Sequence, residues 1–163
     1  YNPYTIKRCK DCDMNNGKME LVFVPENELC AACKLVRELA KADAKQTRAA
    51  AKPLQGIIIR NTHFHHDVNI TGTSIREWTN QPHKHFKAKN QMLLDINNVF
   101  SNAAYLGTTD NHKGIKRVVQ SHIFEVEVSG EKNLLIVREY DWGEYVLHSI
   151  SDSPELYNKI KKE

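Results

Sequence analysis

The stretch "SHIFEVEVSGEKNLLIVREYDWGEYVLHSIS", residues 121–151, decides how this chain folds. Apolar and polar side chains alternate along it with a period of about two, which predicts strands that bury one face. Turn-forming residues interrupt the alternation at Ser129–Gly130–Glu131–Lys132 and at Asp141–Trp142–Gly143. The sequence therefore predicts three consecutive antiparallel strands, and "AAYLG" at residues 103–107 supplies an earlier fourth strand.

Helical patterns flank these strands. Residues 34–52 are rich in strong helix formers, and a second helix is expected from Ser74, which has capping-box spacing to Glu77, to a point before Pro82. Apolar residues recur at helical spacing between Met92 and Ala103 and predict one amphipathic helix. A short last helix starts after its cap, Ser153. The predicted fold class is α+β, with helices packed on a four-stranded antiparallel sheet.

Composition places limits on the kind of protein. The chain has 163 residues, 40% of them apolar, and a net charge of +3. Its apolar runs are too short to cross a bilayer, so we expect no membrane partner. No leader resembles a signal peptide. Because the first residue is Tyr1 and not Met, we interpret the chain as a fragment of a longer polypeptide, and the missing leader says little about that polypeptide. Pro53 and Gly56 predict a boundary between a small module (1–52) and a main domain (53–163).

All four cysteines lie in the first 33 residues, as two C-x-x-C pairs separated by seventeen residues: Cys9, Cys12, Cys30 and Cys33. This spacing is typical of a zinc ribbon, in which four thiolates hold one structural Zn²⁺ ion. Disulfides would need an oxidising compartment, and a redox dithiol needs only one pair. Four thiolates leave no open position for water, so the predicted metal is structural and not catalytic.

The eight histidines suggest several sites. His63, His65 and His66 precede Asp67 in an extended segment, which could hold a metal but is more typical of an extended surface segment with no ligand. His83 follows Pro82 in a first helical turn, where free amides favour a phosphate. His112 lies in a polar loop that ends in glycine, and His122 begins a predicted strand. Each of these three residues could transfer protons.

The order of helices and strands, with "AYLGTTDNHKG" (104–114) and "REYDWGEYVLHSI" (138–150), resembles a known group of domains. These are the C-terminal domains of phage minor head (head-morphogenesis) proteins, which belong to the barnase/EndoU/colicin/RelE-like nuclease superfamily. The resemblance spans roughly residues 57–160. It implies metal-independent cleavage of RNA on a four-stranded antiparallel sheet, and it fits a cysteine module just upstream.

RNA cleavage of this kind needs a base, an acid and cations for the phosphate charge. We expect Arg138 and Lys113 to hold the phosphate and His83, His112 or His122 to act with Arg138 in catalysis, with Ser149 as a further polar contact. A barnase-like trio of Glu125, Arg138 and His148 is the second choice, because strand parity does not place the three on one face. We expect a local positive cleft and not broad electrostatic binding, because the net charge is small.

Three functions follow from these patterns. The first is a toxin-like ribonuclease domain of a phage minor head protein that binds RNA. The second is a non-catalytic structural or binding module that contacts phage head or portal proteins. The third is a zinc-ribbon nucleic-acid binder whose main domain dimerises. The first two predict a prophage-encoded protein in the cytoplasm or in the virion.

Overall fold

The computed structural model describes residues 31–111 and 114–161. Its helices and strands follow one another in the order α1 (Ala31–Ala51), β1 (Ile58–Asn61), β2 (Phe64–Asn69), α2 (Gly72–Asn80), α3 (Phe86–Leu94), α4 (Ile96–Asn102), β3 (Ala104–Asp110), β4 (Val118–Val128), β5 (Glu131–Tyr140), β6 (Tyr145–Ser151) and α5 (Pro154–Lys159). The alternating stretch of residues 121–151 forms most of β4 and all of β5 and β6, as predicted. The α+β class is therefore right, but the sheet differs from the expected one.

The prediction of a four-stranded antiparallel sheet is wrong. In the described residues the strands form one six-stranded mixed sheet in the order β1-β2-β6-β5-β4-β3, curled into a half-barrel. Strands β3 to β6 do form an antiparallel meander, but the hairpin β1–β2 extends it because β2 lies parallel to β6. This hairpin could not be predicted from alternation, because "NTHFHHD" places polar side chains at strand positions that face solvent.

The helices also begin and end at residues other than those expected. Helix α2 starts at Gly72, since the capping box is formed by Thr71 and Ser74, whose side chains each bond the other's backbone N–H. The single amphipathic helix predicted from Met92 to Ala103 is two helices that break at Asp95. The carboxylate of Asp95 accepts a bond from the Asn98 side chain at 2.9 Å, and this local bond competes with helix continuation.

The two faces of the sheet have different roles. The core face carries Phe124, Leu135 and Leu147, which are buried against the helices. The opposite face, here called the cleft face, carries Ser121, which lies directly across from Arg138 in the β4–β5 register. Because neighbouring residues of a strand point to opposite faces, side chains one residue apart on β4 or β5 do not meet.

Helix α5 and the segment after it cross the cleft face. The Tyr157 hydroxyl donates to the Glu125 carboxylate on β4 at 3.0 Å. Further on, Lys161 pairs with Thr108 on the edge strand β3 through two backbone hydrogen bonds of 2.7 and 3.0 Å. We call residues 154–161 the C-terminal strap. It connects the segment after β6 to the far edge of the meander.

Helix α1 packs on α2 and α3, so the alanine-rich segment contacts the main domain directly. The side chain of Arg48 on α1 donates to Asn80 of α2 at 3.0 Å, and Asn90 of α3 donates to Asp43 at 2.8 Å. The boundary near residue 53 stays a prediction. None of the helices in the described part of the chain combines the length and the apolar character needed to cross a membrane.

Most of the predicted zinc ribbon lies outside the described residues, since Cys9, Cys12 and Cys30 all precede residue 31. Cys33 lies in the first turn of α1 and is buried. Within residues 31–111 and 114–161, no cluster of three or more metal-ligating side chains occurs. The four-cysteine site therefore stays a prediction.

Candidate functional site

The strongest candidate site lies on the cleft face, around Arg138 of β5 and His148 of β6. Two depressions meet at these two residues. The first has a volume of about 190 Å³ and lies between the sheet and the C-terminal strap, which contributes Leu156 and Lys159. The second has a volume of about 270 Å³ and reaches the start of α2. We call the two depressions together the Arg138 cleft.

A β-bulge explains why His148 faces this cleft. In the β5–β6 register Val137 lies opposite Leu147 and Ile136 lies opposite Ser149, so His148 is the extra residue of β6. A bulge of this kind redirects a side chain and is frequent next to active sites. Simple alternation would have placed His148 on the same face as Ile150, but Ile150 belongs to the core and His148 lines the cleft.

Arg138 is a half-buried cation without a partner among the residues that the structure describes. Ser121, across the register on β4, lines the same depression and offers a hydroxyl group. No carboxylate or carbonyl oxygen of residues 31–111 or 114–161 accepts a hydrogen bond from the guanidinium. A cation that has lost part of its hydration gains from an anion with several acceptor oxygens, and a guanidinium matches phosphate geometry well.

The structure does not bring together the residues of the first predicted site, in which a histidine acts with Arg138. His122 is next to Ser121 on β4, so its side chain lies on the core face while Arg138 lies on the cleft face. His83 bonds Asn133, which is five residues from Arg138 along β5 and on the opposite face. His112 and Lys113 lie outside the described residues. Ser149 is buried and does not line the Arg138 cleft.

His83 is held in one tautomer inside the protein. Its Nδ1 accepts from the backbone N–H of His85 at 2.8 Å, so Nε2 carries the proton and donates to Asn133 Oδ1 at 2.7 Å. Burial lowers the pKa of His83, against the opposing effects of Asn133 and Asp152. His83 is therefore a neutral buried histidine, and it does not lie at the helix N-terminus where the sequence placed it: α3 begins at Phe86.

His122 is also fully bonded. Its Nε2 lies 2.7 Å from a carboxylate oxygen of Glu139, and its Nδ1 lies 2.9 Å from the Tyr105 hydroxyl. Burial raises the pKa of Glu139, but the hydrogen bonds from Gln120 and His122 outweigh burial and the pKa is lowered overall. Phe64 covers the imidazole with a ring-centroid distance of 4.9 Å. Tyr105, His122 and Glu139 therefore form a hydrogen-bonded relay in which both ring nitrogens of His122 have partners.

The second predicted trio does share one face. Glu125, Arg138 and His148 all lie on the cleft face, since Glu125 receives the Tyr157 hydroxyl of the strap. Glu125 lies opposite Leu134, however, four residues from Arg138 along β5 and therefore roughly 13 Å away. The structure thus brings Arg138 and His148 together and leaves Glu125 further along the sheet.

Residues 38–156 match the model of Large polyvalent protein-associated domain 3. The chain belongs to this family. The match agrees with the coarser part of the sequence resemblance, a phage-associated domain. It covers most of α1, all the strands, and the start of α5. No curated protein and no solved structure matches the chain, so the role of each residue rests on the geometry.

Proposed function

We propose that this domain cleaves the phosphodiester backbone of RNA without a metal ion, and that the Arg138 cleft is its active site. The observation that carries the proposal is the half-buried Arg138 guanidinium. It donates no hydrogen bond to a described residue, and it lies beside His148. A guanidinium without an acceptor among the described residues, next to an imidazole, supplies both requirements of the reaction: charge for the phosphate and a group that transfers protons.

The chemistry uses groups that line the cleft. The His148 imidazole takes the proton of the ribose 2'-hydroxyl, and the 2'-oxygen attacks phosphorus. The bond from phosphorus to the 5'-oxygen breaks, and this oxygen takes a proton from water. Arg138 stabilises the negative charge on the phosphoryl oxygens, while Lys159 and Ser121 line the same depression. The products are a 2',3'-cyclic phosphate and a free 5'-hydroxyl.

The test is an RNA-cleavage assay in EDTA with Arg138→Ala and His148→Ala variants. We expect each variant to lose about 100-fold or more of the parent's rate, because each removes a charge or a proton-transfer group from the transition state. Arg60→Ala and His63→Ala are matched controls, since Arg60 pairs with Asp67 on the exposed hairpin and His63 is exposed. Analysis of the RNA ends checks for the cyclic phosphate.

No cleavage by the parent at any concentration would contradict the proposal. Equal losses in the control variants would contradict the assignment of the site. If the parent binds RNA and Arg138→Ala does not, but neither cleaves it, the second function is favoured: a non-catalytic binding module of a phage head protein. The Arg138 guanidinium, which lacks an acceptor in the described part of the chain, supports that alternative equally, because binding needs only an anion and not a reaction.

We also propose that Cys9, Cys12, Cys30 and Cys33 hold a structural Zn²⁺ ion. The spacing of the four thiols supports the proposal, and a metal would supply folding free energy to a segment too short for a core of its own. Metal analysis of freshly reduced protein should find about one zinc per chain. A value below about half an equivalent, or unchanged zinc in a Cys9→Ser/Cys12→Ser variant, would contradict it.

A further inference from the structure

A half-buried tyrosine and an exposed tryptophan form a pair of aromatic rings at one end of the Arg138 cleft. Tyr140, the last residue of β5, and Trp142, in the turn to β6, have ring centroids 4.6 Å apart and an interplanar angle of 27°. Trp142 is 53% exposed, whereas Trp78, the other tryptophan of the chain, is completely buried. Large exposed aromatic surfaces are uncommon in positions without a partner, and nothing in the described core uses Trp142 for packing.

The aromatic pair is continuous with the cation. Arg138, His148, Tyr140 and Trp142 all line the second depression of the cleft. Arg138 and Tyr140 are two residues apart on β5 and share its cleft face. A phosphate held by Arg138 would therefore have the attached nucleoside close to the rings. Proteins that bind single strands combine a cation for the backbone with aromatic rings for the bases in this way.

A second arginine stands over the tryptophan. The guanidinium carbon of Arg117 lies 5.0 Å from the Trp142 ring centroid, and its Nε pairs with Asp141 at 3.1 Å. The Arg117 side chain is 57% exposed, so an incoming base can displace it from the ring at little cost. After displacement, its charge stays beside the nucleic-acid backbone. The Trp142 Nε1–H donates to Glu144 at 3.2 Å, which limits rotation of the ring.

We propose that Tyr140 and Trp142 form a stacking platform for one base of a single-stranded RNA. A duplex cannot use the platform because its bases are stacked inside the helix. The C-terminal strap also favours single strands over duplexes. It covers the other depression, which at about 190 Å³ is far too small to admit a double helix. The inference names the substrate class of the proposed ribonuclease, and so rests on that function for the reaction but not for binding.

The test uses the His148→Ala variant of the full chain, so that RNA is not consumed. Titration with a single-stranded oligonucleotide of about eight residues should quench the fluorescence of Trp142, because a stacked base is an efficient quencher. Trp78 is fully buried and should not respond. For variants that lack Trp142, the fluorescence anisotropy of a labelled oligonucleotide measures binding: Trp142→Ala should weaken it about tenfold, and Trp142→Phe, which keeps a stacking ring, should weaken it less. The same sequence as a duplex, and inorganic phosphate alone, are the comparison ligands.

The platform is supported if the single strand quenches Trp142 fluorescence, the duplex quenches it less, and Trp142→Ala binds the single strand more weakly. Equal affinity for duplex, or unchanged affinity in Trp142→Ala with an unchanged melting temperature, overturns it. The two proposals fail separately. If the parent cleaves RNA and Trp142→Ala cleaves with the same KM, the platform is wrong and the ribonuclease stands. If single strands bind through Trp142 but the parent never cleaves them, the platform stands and the ribonuclease is wrong.

Discussion

The helical side of the sheet and the cleft face differ in whether their charged and polar side chains have hydrogen-bond partners. On the helical side, His83 and His122 each have partners on both ring nitrogens, and the buried Lys89 ammonium donates to the backbone carbonyls of Trp78 and Gln81 at 2.7 and 2.8 Å. On the cleft face, the Arg138 guanidinium has no acceptor within the described residues. The same sheet thus carries histidines whose hydrogen bonds are complete and an arginine that can still donate hydrogen bonds to a ligand.

A buried histidine or lysine is therefore a weak guide to function when its hydrogen bonds are complete. Such groups stabilise the fold, because removing one leaves its partners buried and unpaired. A half-buried cation with no partner costs stability in the free protein, and it is explained by a ligand that completes it. Substitutions should therefore cost stability on the helical side and function on the cleft face.

The largest expected effect concerns Lys89. Burial lowers its pKa from 10.5 to about 7, against the opposing charge of Asp43. Between these values the unfolded chain holds a proton that the folded chain has released, so stability rises as the pH rises from about 7 to about 10. The gain is on the order of 4 kcal/mol, and Lys89→Met should lack it.

Urea unfolding of the parent and of Lys89→Met at pH 7 and pH 10 measures this gain. The other titrating groups, including Tyr157, whose pKa is raised to about 12 by burial and by Glu125, are common to both proteins and cancel in the difference. Parallel pH profiles of the two proteins would show that Lys89 stays charged when the protein is folded.

The next largest effect is expected for His122→Ala. The substitution removes the ring that Phe64 packs on and leaves Tyr105 and Glu139 without the bonds they make to it. We expect a loss of about 3 kcal/mol in the free energy of unfolding. His63→Ala, on the exposed turn of the hairpin, is the control and should cost less than about 0.5 kcal/mol. A loss in His122→Ala as small as in the control would mean that the relay does not stabilise the fold.

A smaller effect is expected for Gly107→Ala on β3. Gly107 has a φ of +135°, and a Cβ atom there would overlap the backbone carbonyl of Lys161 in the C-terminal strap. We expect a loss of about 2 kcal/mol, measured by thermal unfolding. Gly130→Ala is the matched control: its φ is +79° but the space around it is open, so only about 1 kcal/mol should be lost. Equal losses would show that the strap is not held at this point.

The smallest effect on stability is expected for Arg138→Ala. Because the guanidinium makes no bond to a described residue, its removal should change the free energy of unfolding by no more than about 0.5 kcal/mol. The same variant should lose most RNA cleavage, so the two measurements together separate a binding group from a structural one. A loss of 2 kcal/mol or more would mean that Arg138 has a structural partner.

The meander could be predicted from the sequence because its strands bury one face and its turns carry Ser129–Gly130 and Gly143. Alternation and turn residues are local signals, and both are present. The hairpin β1–β2 could not be predicted in the same way, since β2 exposes three consecutive residues, His65, His66 and Asp67. Its place in the sheet depends on pairing with β6, which no local pattern encodes.

The candidate site was half predictable. Arg138 could be found because it is a cation on a strand that otherwise alternates well. The face on which His148 lies could not be predicted, because a bulge shifts the parity of β6 and the sequence around it contains no glycine or proline to mark the bulge. His83 and His122 were attractive because histidines are rare and reactive, but only the structure shows that Asn133, Glu139 and Tyr105 occupy their nitrogens.

The parallel pairing of β2 with β6 has a consequence for biosynthesis. Asn69 at the end of β2 donates to Glu144, just before β6, across 75 residues of chain. During synthesis from the N-terminus, the hairpin leaves the ribosome long before the strand on which it docks. Until β6 is made, the docking edge of β2 has no partner strand, and such an edge is prone to pair with other chains. The exposed histidines and Asp67 make β2 polar. Polar residues on an unpaired strand reduce aggregation, so they protect the nascent chain until β6 has been synthesised and pairs with β2.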